Sequence, residues 1–234
     1  MIRLDRYLAQ SGLYSRSEAS KAIRRGAVTV DGAVIRDPSS KVDEGAVSVT
    51  ADGKKIPWAR VVWVMLNKPA GTVSTTDPDP RSVLALLPPE YRRMGLFPCG
   101  RLDVDTTGLL LLTNDGEAAH RLLSPKKHCE KTYRFTCLPI TEEQRERLEA
   151  GVELGDFETQ PASVRLDAPD DREHGEITVT EGKFHQIKRM FQAVGSEILT
   201  LERVRFAGLN LDPALRRGEW RLLNDEEAAG LGSE

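Results

Sequence analysis

The chain has 234 residues, 39% of them hydrophobic, which is enough for one large α/β domain or for a sizeable core with a small accessory domain. Its longest apolar runs, at 61–66 and 109–112, are far shorter than the roughly 20 residues of a membrane span. Because no hydrophobic signal segment begins the chain either, we expect a cytoplasmic protein without membrane contact.

The charge is unevenly distributed along the chain. The net charge of -3 argues against indiscriminate nucleic-acid binding. Residues 1–58, however, carry ten Lys or Arg and seven Asp or Glu, a net charge of +3, which leaves 23 against 29, a net of -6, for the remainder. The sequence therefore predicts a small basic module joined to an acidic body.

The basic module is predicted to be α-α-β-β. The spacing of Leu4 and Leu8 indicates a first helix. The letters SRSE at 15–18 fit a capping box that begins a second helix, and Gly26 is typical of a helix end. Residues 28–35 alternate around a central Asp-Gly, a dipeptide that tolerates positive φ and so predicts a hairpin.

The rest of the chain predicts an α+β fold. Residues 51–58 are polar and punctuated by Gly and Pro, so we place a domain boundary between residues 58 and 59. Beyond it, the patterns predict strands at 61–66, 108–113, 131–137 and 176–180, helices at 117–123 and after Gly182, and a Pro-rich loop at 77–89.

The helix after Gly182 is predicted to have two different faces. Its core face carries Ile187, Met190, Phe191 and Val194. Its other face carries His185, Lys188, Arg189 and Gln192. A cationic stripe suits a polyanionic partner, although a merely solvated face accounts for it as well when this helix is considered alone.

A polar, Gly-bounded loop at 100–108, with the sequence GRLDVDTTG, leads into a buried strand. Loops in such places often display functional side chains. Two aspartates in a loop also fit an Asx turn or a helix cap, so the loop alone leaves both interpretations open.

Other site chemistries have little support. The cysteines Cys99, Cys129 and Cys137 are far apart and form no C-x-x-C pair, so we expect reduced thiols rather than a disulfide framework. The four histidines lack metal-ligand spacing, and no nucleotide-binding loop is present. We predict no metal and no cofactor.

Taken together and in order, the segments of the larger body resemble the RsuA-type pseudouridine synthases. The letters GRLD at 100–103 and TTGLL at 106–110 resemble the family signature, and LNKP at 66–69 resembles its leading strand. The letters KTY at 131–133 and EGKFHQIKRM at 181–190 resemble two later motifs. The resemblance implies isomerisation of a uridine in RNA to pseudouridine.

The basic module resembles an S4 RNA-binding domain, on the letters RLDRYL at 3–8, SRSEA at 15–19 and VTVDG at 28–32. The implied fold class is α+β. A small S4-like α-α-β domain at 1–58 joins a catalytic domain at 59–234, which has a mixed, mainly antiparallel sheet with flanking helices.

The resemblance implies three catalytic residues, Asp103, Tyr133 and Lys188. The carboxylate acts as nucleophile at C1′ or as base toward the ribose, and it must be ionised in a pocket without water. A cation favours that ionised form, which is the role implied for Lys188, with Arg189 as the alternative. Tyr133 either takes the proton from C5 or stacks on the flipped uracil, and Asp105 is given a supporting or structural role only.

The predicted RNA-binding residues are all cationic. They are Arg16, Lys21, Arg24, Arg25, Lys68, Arg101 and Arg189. The resemblance implies that Arg101 fills the space near the flipped base, although an arginine that braces the loop is an alternative. In the S4-like module the cations would grip phosphates, and the alternative for each of them is a solvated helix face.

Within the family, the letters HCEKTY at 128–133 and KRMF at 188–191 are most similar to the small-subunit enzymes. This similarity implies uridine 516 of 16S rRNA, in a partly assembled small subunit, as target of a monomeric enzyme. The letters LLLL at 109–112 are at least as typical of the related enzymes that act on 23S rRNA. A non-catalytic rRNA-binding assembly factor and an N-glycosidase that releases uracil are the alternatives from other classes.

Overall fold

The computed structural model describes residues 1–43, 46–56, 61–124 and 127–231. The predicted domain boundary between residues 58 and 59 lies outside the described residues. The chain before it and the chain after it form separate sheets and separate hydrophobic clusters.

The amino-terminal module contains two helices, α1 (Leu4–Gln10) and α2 (Arg16–Arg24). The predicted capping box is present: the backbone N–H of Glu18 donates to Ser15 Oγ at 3.2 Å, and the N–H of Ser15 donates to Glu18 Oε2 at 2.7 Å. Gly26 follows α2 with φ +80°, a conformation that favours glycine. The module's apolar cluster buries one face of α2, so its cationic face is left to solvent.

The module has more strands than the predicted two. They are β1 (Ile2–Arg3), β2 (Val28–Val30), β3 (Ala33–Val34), β4 (Lys41–Val42), β5 (Val49–Ala51) and β6 (Lys54–Ile56). The predicted hairpin is β2–β3, with Asp31 and Gly32 both at positive φ. The segment predicted to be a boundary region forms a second hairpin, β5–β6, around Asp52 and Gly53, also at positive φ. A four-stranded antiparallel sheet, β3-β2-β5-β6, results.

The larger body is built on one sheet. Its strands are β7 (Trp63–Lys68), β8 (Phe97–Cys99), β9 (Thr107–Thr113), β10 (Lys131–Cys137), β11 (Ser163–Leu166), β12 (His174–Val179), β13 (Ile198–Phe206), β14 (Leu209–Asn210) and β15 (Trp220–Leu222). Their order is β11-β12-β10-β13-β9-β7-β15, with β14 beside β13 and β8 beside β9. The pairing of β9 with β13 is parallel and the others are antiparallel. The mixed, mainly antiparallel sheet is thus confirmed.

Helices flank this sheet. They are α3 (Pro89–Arg93), α4 (Gly116–Leu123), α5 (Glu142–Ala150), α6 (Gln186–Ala193) and α7 (Asp225–Gly230), and a 3-10 helix, Val83–Leu86, lies within the predicted Pro-rich loop. Within the described ranges, none of the helices has the length and apolar character needed to cross a bilayer.

Two hydrophobic clusters cover the two faces of the sheet. Strand β9 contributes to both, because Leu110 and Leu112 join one cluster while Leu109 and Leu111 join the other. Strand β7 alternates in the same way, which explains why both strands are continuous apolar runs. The cluster with Leu110 also contains Tyr133 and the apolar face of α6. Strand β10 and helix α6 therefore meet on one face of the sheet.

The parallel contact between β9 and β13 depends on Gly108. Its φ is +98°, and a Cβ built there would lie 2.3 Å from the carbonyl oxygen of Arg203. The Arg203 side chain is buried, and its Nε donates to the Leu109 carbonyl at 2.8 Å. Because the two backbones approach so closely, the start of β9, and with it the end of the preceding loop, is held against β13.

Candidate active site

The predicted catalytic residues meet in one pocket. Asp103 lies in the loop before β9, Tyr133 lies on β10, and Lys188 lies in the first turn of α6. The exposed side chain of Arg101 lines the same pocket, and Tyr133 is buried in its wall. Segments that are far apart in the sequence thus converge on the Asp103 carboxylate.

Two side chains from the beginning of α6 approach Asp103. Lys188 Nζ lies 3.7 Å from Asp103 Oδ2, and His185 Nε2 lies 3.4 Å from Asp103 Oδ1. About 30% of the Asp103 side chain remains exposed. The carboxylate therefore has a cation on one oxygen and an imidazole on the other, and it keeps an opening toward a ligand.

Asp105 is closer to the lysine than Asp103 is. Lys188 Nζ donates to Asp105 Oδ1 at 2.5 Å, and this hydrogen bond holds the pKa of the Asp105 carboxyl below its usual range. Because 73% of the Asp105 side chain is exposed, the pair is screened by water. The ammonium bridges both carboxylates, so Asp105 takes part in positioning Lys188.

Lys68 is inaccessible to RNA, contrary to the prediction, because its side chain is fully buried. Its Nζ donates to the carbonyls of Asp103 and Thr106 at 2.9 Å each, and at 3.2–3.3 Å to those of Pro69 and Val104. Burial lowers the pKa of Lys68 to about 8. The structure thus corrects the prediction: this lysine fastens the backbone of the loop that carries Asp103.

Replacing Lys68 tests that correction. Lys68→Met keeps the length of the side chain and removes its hydrogen bonds, so we expect kcat to fall by about tenfold or more as the Asp103 loop loses its anchor. We expect the dependence of RNA affinity on salt to stay as it is in the wild type. Single-turnover rates and binding titrations at several salt concentrations measure the two effects. An unchanged rate, with the slope of log affinity against log salt reduced by about one unit, would support the predicted contact between Lys68 and RNA instead.

Hydrogen bonds that the sequence did not reveal hold the turn before α6. The N–H of Lys183 donates to Gln186 Oε1 at 3.1 Å, and Gln186 Nε2 donates to Glu181 Oε2 at 3.0 Å. The same Glu181 oxygen accepts the N–H of Gln160 at 2.9 Å. His185, which was placed on the polar helix face, precedes α6 with φ +49°. The signal available in the sequence was that Gln186 lies one turn before Met190 on the core face, where a buried amide needs partners.

Arg189 contacts residues other than Asp103. Its guanidinium pairs with Asp156, donates to the Leu154 carbonyl at 3.0 Å and lies 5.3 Å from the centre of the Phe157 ring. It does not line the pocket around Asp103. The position beside Asp103 that the sequence analysis left open between two cations is occupied by Lys188.

In the amino-terminal module, the predicted RNA-binding cations are exposed on or just after α2. Arg25 pairs with Asp52 at 2.6 Å. The other three, Arg16, Lys21 and Arg24, are exposed on α2, and no acidic side chain of the described residues forms a salt bridge with them.

Known proteins are similar to this chain over nearly its whole length. A family model described as RNA pseudouridylate synthase matches residues 62–193, and an S4 domain model matches residues 2–48. The Ribosomal small subunit pseudouridine synthase A of Escherichia coli K12 is 41% identical over 98% of this chain and 100% of its own length. The Uncharacterized RNA pseudouridine synthase YtzG of Bacillus subtilis is 44% identical over 97% of this chain and 96% of its own length. A crystal structure of a pseudouridylate synthase superposes with a TM-score of 0.68 at 36% identity, covering 99% of this chain and all of the other.

Proposed function

Because the chain belongs to the RNA pseudouridylate synthase family, and is therefore an isomerase, we propose that it converts a uridine of ribosomal RNA to pseudouridine, and that the target is uridine 516 of 16S rRNA. The observation that carries this proposal is the match to the E. coli small-subunit enzyme, which spans 98% of this chain and so includes both the S4 domain and the pocket. We further propose that it acts as a cytoplasmic monomer on a partly assembled small subunit.

The reaction requires three changes in the substrate. The bond between N1 and C1′ breaks, a bond between C5 and C1′ forms, and a proton is lost from C5 while one is gained at N1, so the atoms balance without a co-reactant. Asp103 is the proposed essential carboxylate, acting on C1′ or on the ribose. Its position between Lys188 and His185 supports this role, because a neighbouring cation favours the ionised carboxylate.

Tyr133 and Arg101 are proposed to hold the uridine that leaves the RNA stack. Tyr133 is only 9% exposed, in the wall of the pocket, which favours a ring that contacts the flipped uracil. Arg101 is exposed at the mouth, where its guanidinium can occupy the space left by the flipped base or bind a neighbouring phosphate.

The S4 domain is proposed to bind the phosphate backbone through the cationic face of α2. Changing Arg16, Lys21 and Arg24 to Gln should reduce the slope of log affinity against log salt by about two to three units, since each phosphate contact contributes a slope of roughly 0.7–0.9. Filter-binding titrations from low to high salt measure this slope. Arg147→Gln, an exposed change on α5, is the control and should leave the slope unchanged. A triple variant with the wild-type slope would place the phosphate contacts elsewhere.

Mapping of pseudouridine in rRNA tests the target. In cells that lack this protein, the modification at uridine 516 of 16S rRNA should disappear and return when the wild-type chain is supplied. Loss of a site in 23S rRNA instead would assign the enzyme to the large subunit. An unchanged map, with tight rRNA binding by the purified protein, would support an assembly factor.

A further inference from the structure

Phe184 is an aromatic side chain left in solvent beside the pocket. It is 73% exposed, more than any other large apolar residue in the described ranges except Met1. Single exposed apolar side chains are common, so exposure alone indicates nothing. The Phe184 ring, however, stacks on the imidazole of His185, with ring centres 3.8 Å apart and planes inclined by 17°. One face of the Phe184 ring is thus covered by His185 and the other is open.

This stacked pair is held at a fixed place next to Asp103. His185 has φ +49°, which is uncommon for a residue other than glycine and is found at sites where the surrounding structure enforces it. The turn is braced on both sides by the hydrogen bonds among Lys183, Gln186 and Glu181 described above. Because His185 Nε2 also lies 3.4 Å from Asp103, the position of the pair is tied to that of the carboxylate.

The pair borders a second cavity, adjacent to the pocket around Asp103. Its volume is about 690 Å³, within the roughly 300–1,000 Å³ that is usual for small-ligand sites. Arg101 and Asp103 line both spaces, so the two are neighbours. Three cations and two carboxylates line the second cavity, a net charge of +1: Arg101, Lys131 and the exposed Lys183 against Asp103 and Glu181. An open aromatic face beside cations suits a nucleobase together with its phosphate.

We propose that Phe184, backed by His185, is a stacking subsite for the nucleobase adjacent to the target uridine. The proposal rests on the proposed function, since it requires a uridine to enter the pocket at Asp103. When that uridine leaves the helix, its neighbour loses a stacking partner. The open face of Phe184 replaces that partner and so stabilises the flipped state. Phe184 is in this view a positioning residue, and the chemistry stays with the carboxylate.

Variants of Phe184 test the subsite through the requirement for an aromatic ring. With an RNA hairpin that contains the target, Phe184→Leu should lower kcat/KM by about five- to 150-fold, the usual effect of losing one base-stacking contact. Phe184→Tyr keeps the ring and should retain nearly full activity. Leu199→Ala is the control, because it removes an exposed apolar side chain that lines neither cavity. Equal activity of the Leu variant and the wild type would overturn the proposal.

A modified RNA identifies the base that stacks. Placing 2-aminopurine on either side of the target should give fluorescence quenching by the wild type at one position, and Phe184→Leu should abolish it. With an abasic residue at that position, Phe184→Leu should cause no further loss of activity, because the two changes remove the same contact. Additive losses would argue against the subsite. The fluorescence reports binding alone, so a wild-type enzyme that quenches but forms no pseudouridine would contradict the proposed function and leave the subsite supported.

Discussion

Asp103→Asn should reduce the rate of pseudouridine formation at least about a thousandfold, as removal of an essential carboxylate does in other enzymes. The amide has the shape of the carboxylate but cannot act as a nucleophile or base. The Asp103 side chain is about 30% exposed at the pocket mouth, so the change should leave the fold and the affinity for RNA nearly unaltered. Single-turnover assays on an rRNA fragment, with binding titrations of the same variant, separate the two effects.

Asp105→Asn is the matched control for this prediction. Both carboxylates approach Lys188, and Asp105 is the nearer of the two at 2.5 Å against 3.7 Å. Because Asp105 is 73% exposed, we expect its loss to change the rate by less than about tenfold. A reversal, in which Asp105→Asn is inactive and Asp103→Asn is active, would exchange the assignments. Release of free uracil by the wild type would indicate an N-glycosidase instead.

The sequence predicted best those features that depend on residues close together in the chain. The capping box of α2 joins Ser15 and Glu18, and the hairpin β2–β3 turns on Asp31-Gly32. The same Asp-Gly signal recurs at residues 52–53, where the surrounding polar residues had suggested a boundary. The strands there alternate too briefly for a polarity pattern to distinguish them from a loop.

The site itself depends on contacts between residues far apart in the chain, which their spacing in the sequence does not reveal. The resemblance to the family implied Asp103, Tyr133 and Lys188, and the structure brings these together. The bond between Lys188 and Asp105 joins residues 83 positions apart, so only the three-dimensional fold reveals which carboxylate is nearer. Lys68 shows the same limit. Its charge suggested a position on the surface, but it ends a strand that is buried on both faces, and its side chain lies under the loop that carries Asp103.

Lys188→Met should lower kcat by about a hundredfold, comparable to the loss of one charge-stabilising donor in an active site. Without the ammonium, the ionised form of a carboxylate at the pocket mouth is less favoured. The pKa of Asp105, now held low by its hydrogen bond to Lys188, should rise. NMR titration of the Asp105 carboxyl should show this rise. Lys188→Arg keeps the charge and should recover part of the rate.

The sign of the effect on stability follows from the direction of the Asp105 pKa. Since the folded-state pKa is lowered, the pair stabilises the fold at pH values above the ordinary carboxyl pKa of 3.8, and this contribution is lost as the pH falls through the lowered value. At neutral pH, the free energy of unfolding of the Lys188→Met variant should therefore be lower than that of the wild type, by under about 1 kcal/mol because the pair is so exposed. The two proteins should become equally stable at the acid end, as measured by urea unfolding.

Arg189→Met distinguishes a cation that acts at Asp103 from one that only supports the fold. Arg189 follows Lys188 on α6, but its guanidinium pairs with Asp156 and the Leu154 carbonyl. Its removal should reduce the free energy of unfolding and leave kcat close to that of the wild type. If instead Arg189→Met lost as much activity as Lys188→Met, the cation that acts at Asp103 would be Arg189, reached by a rearrangement of α6 when RNA binds.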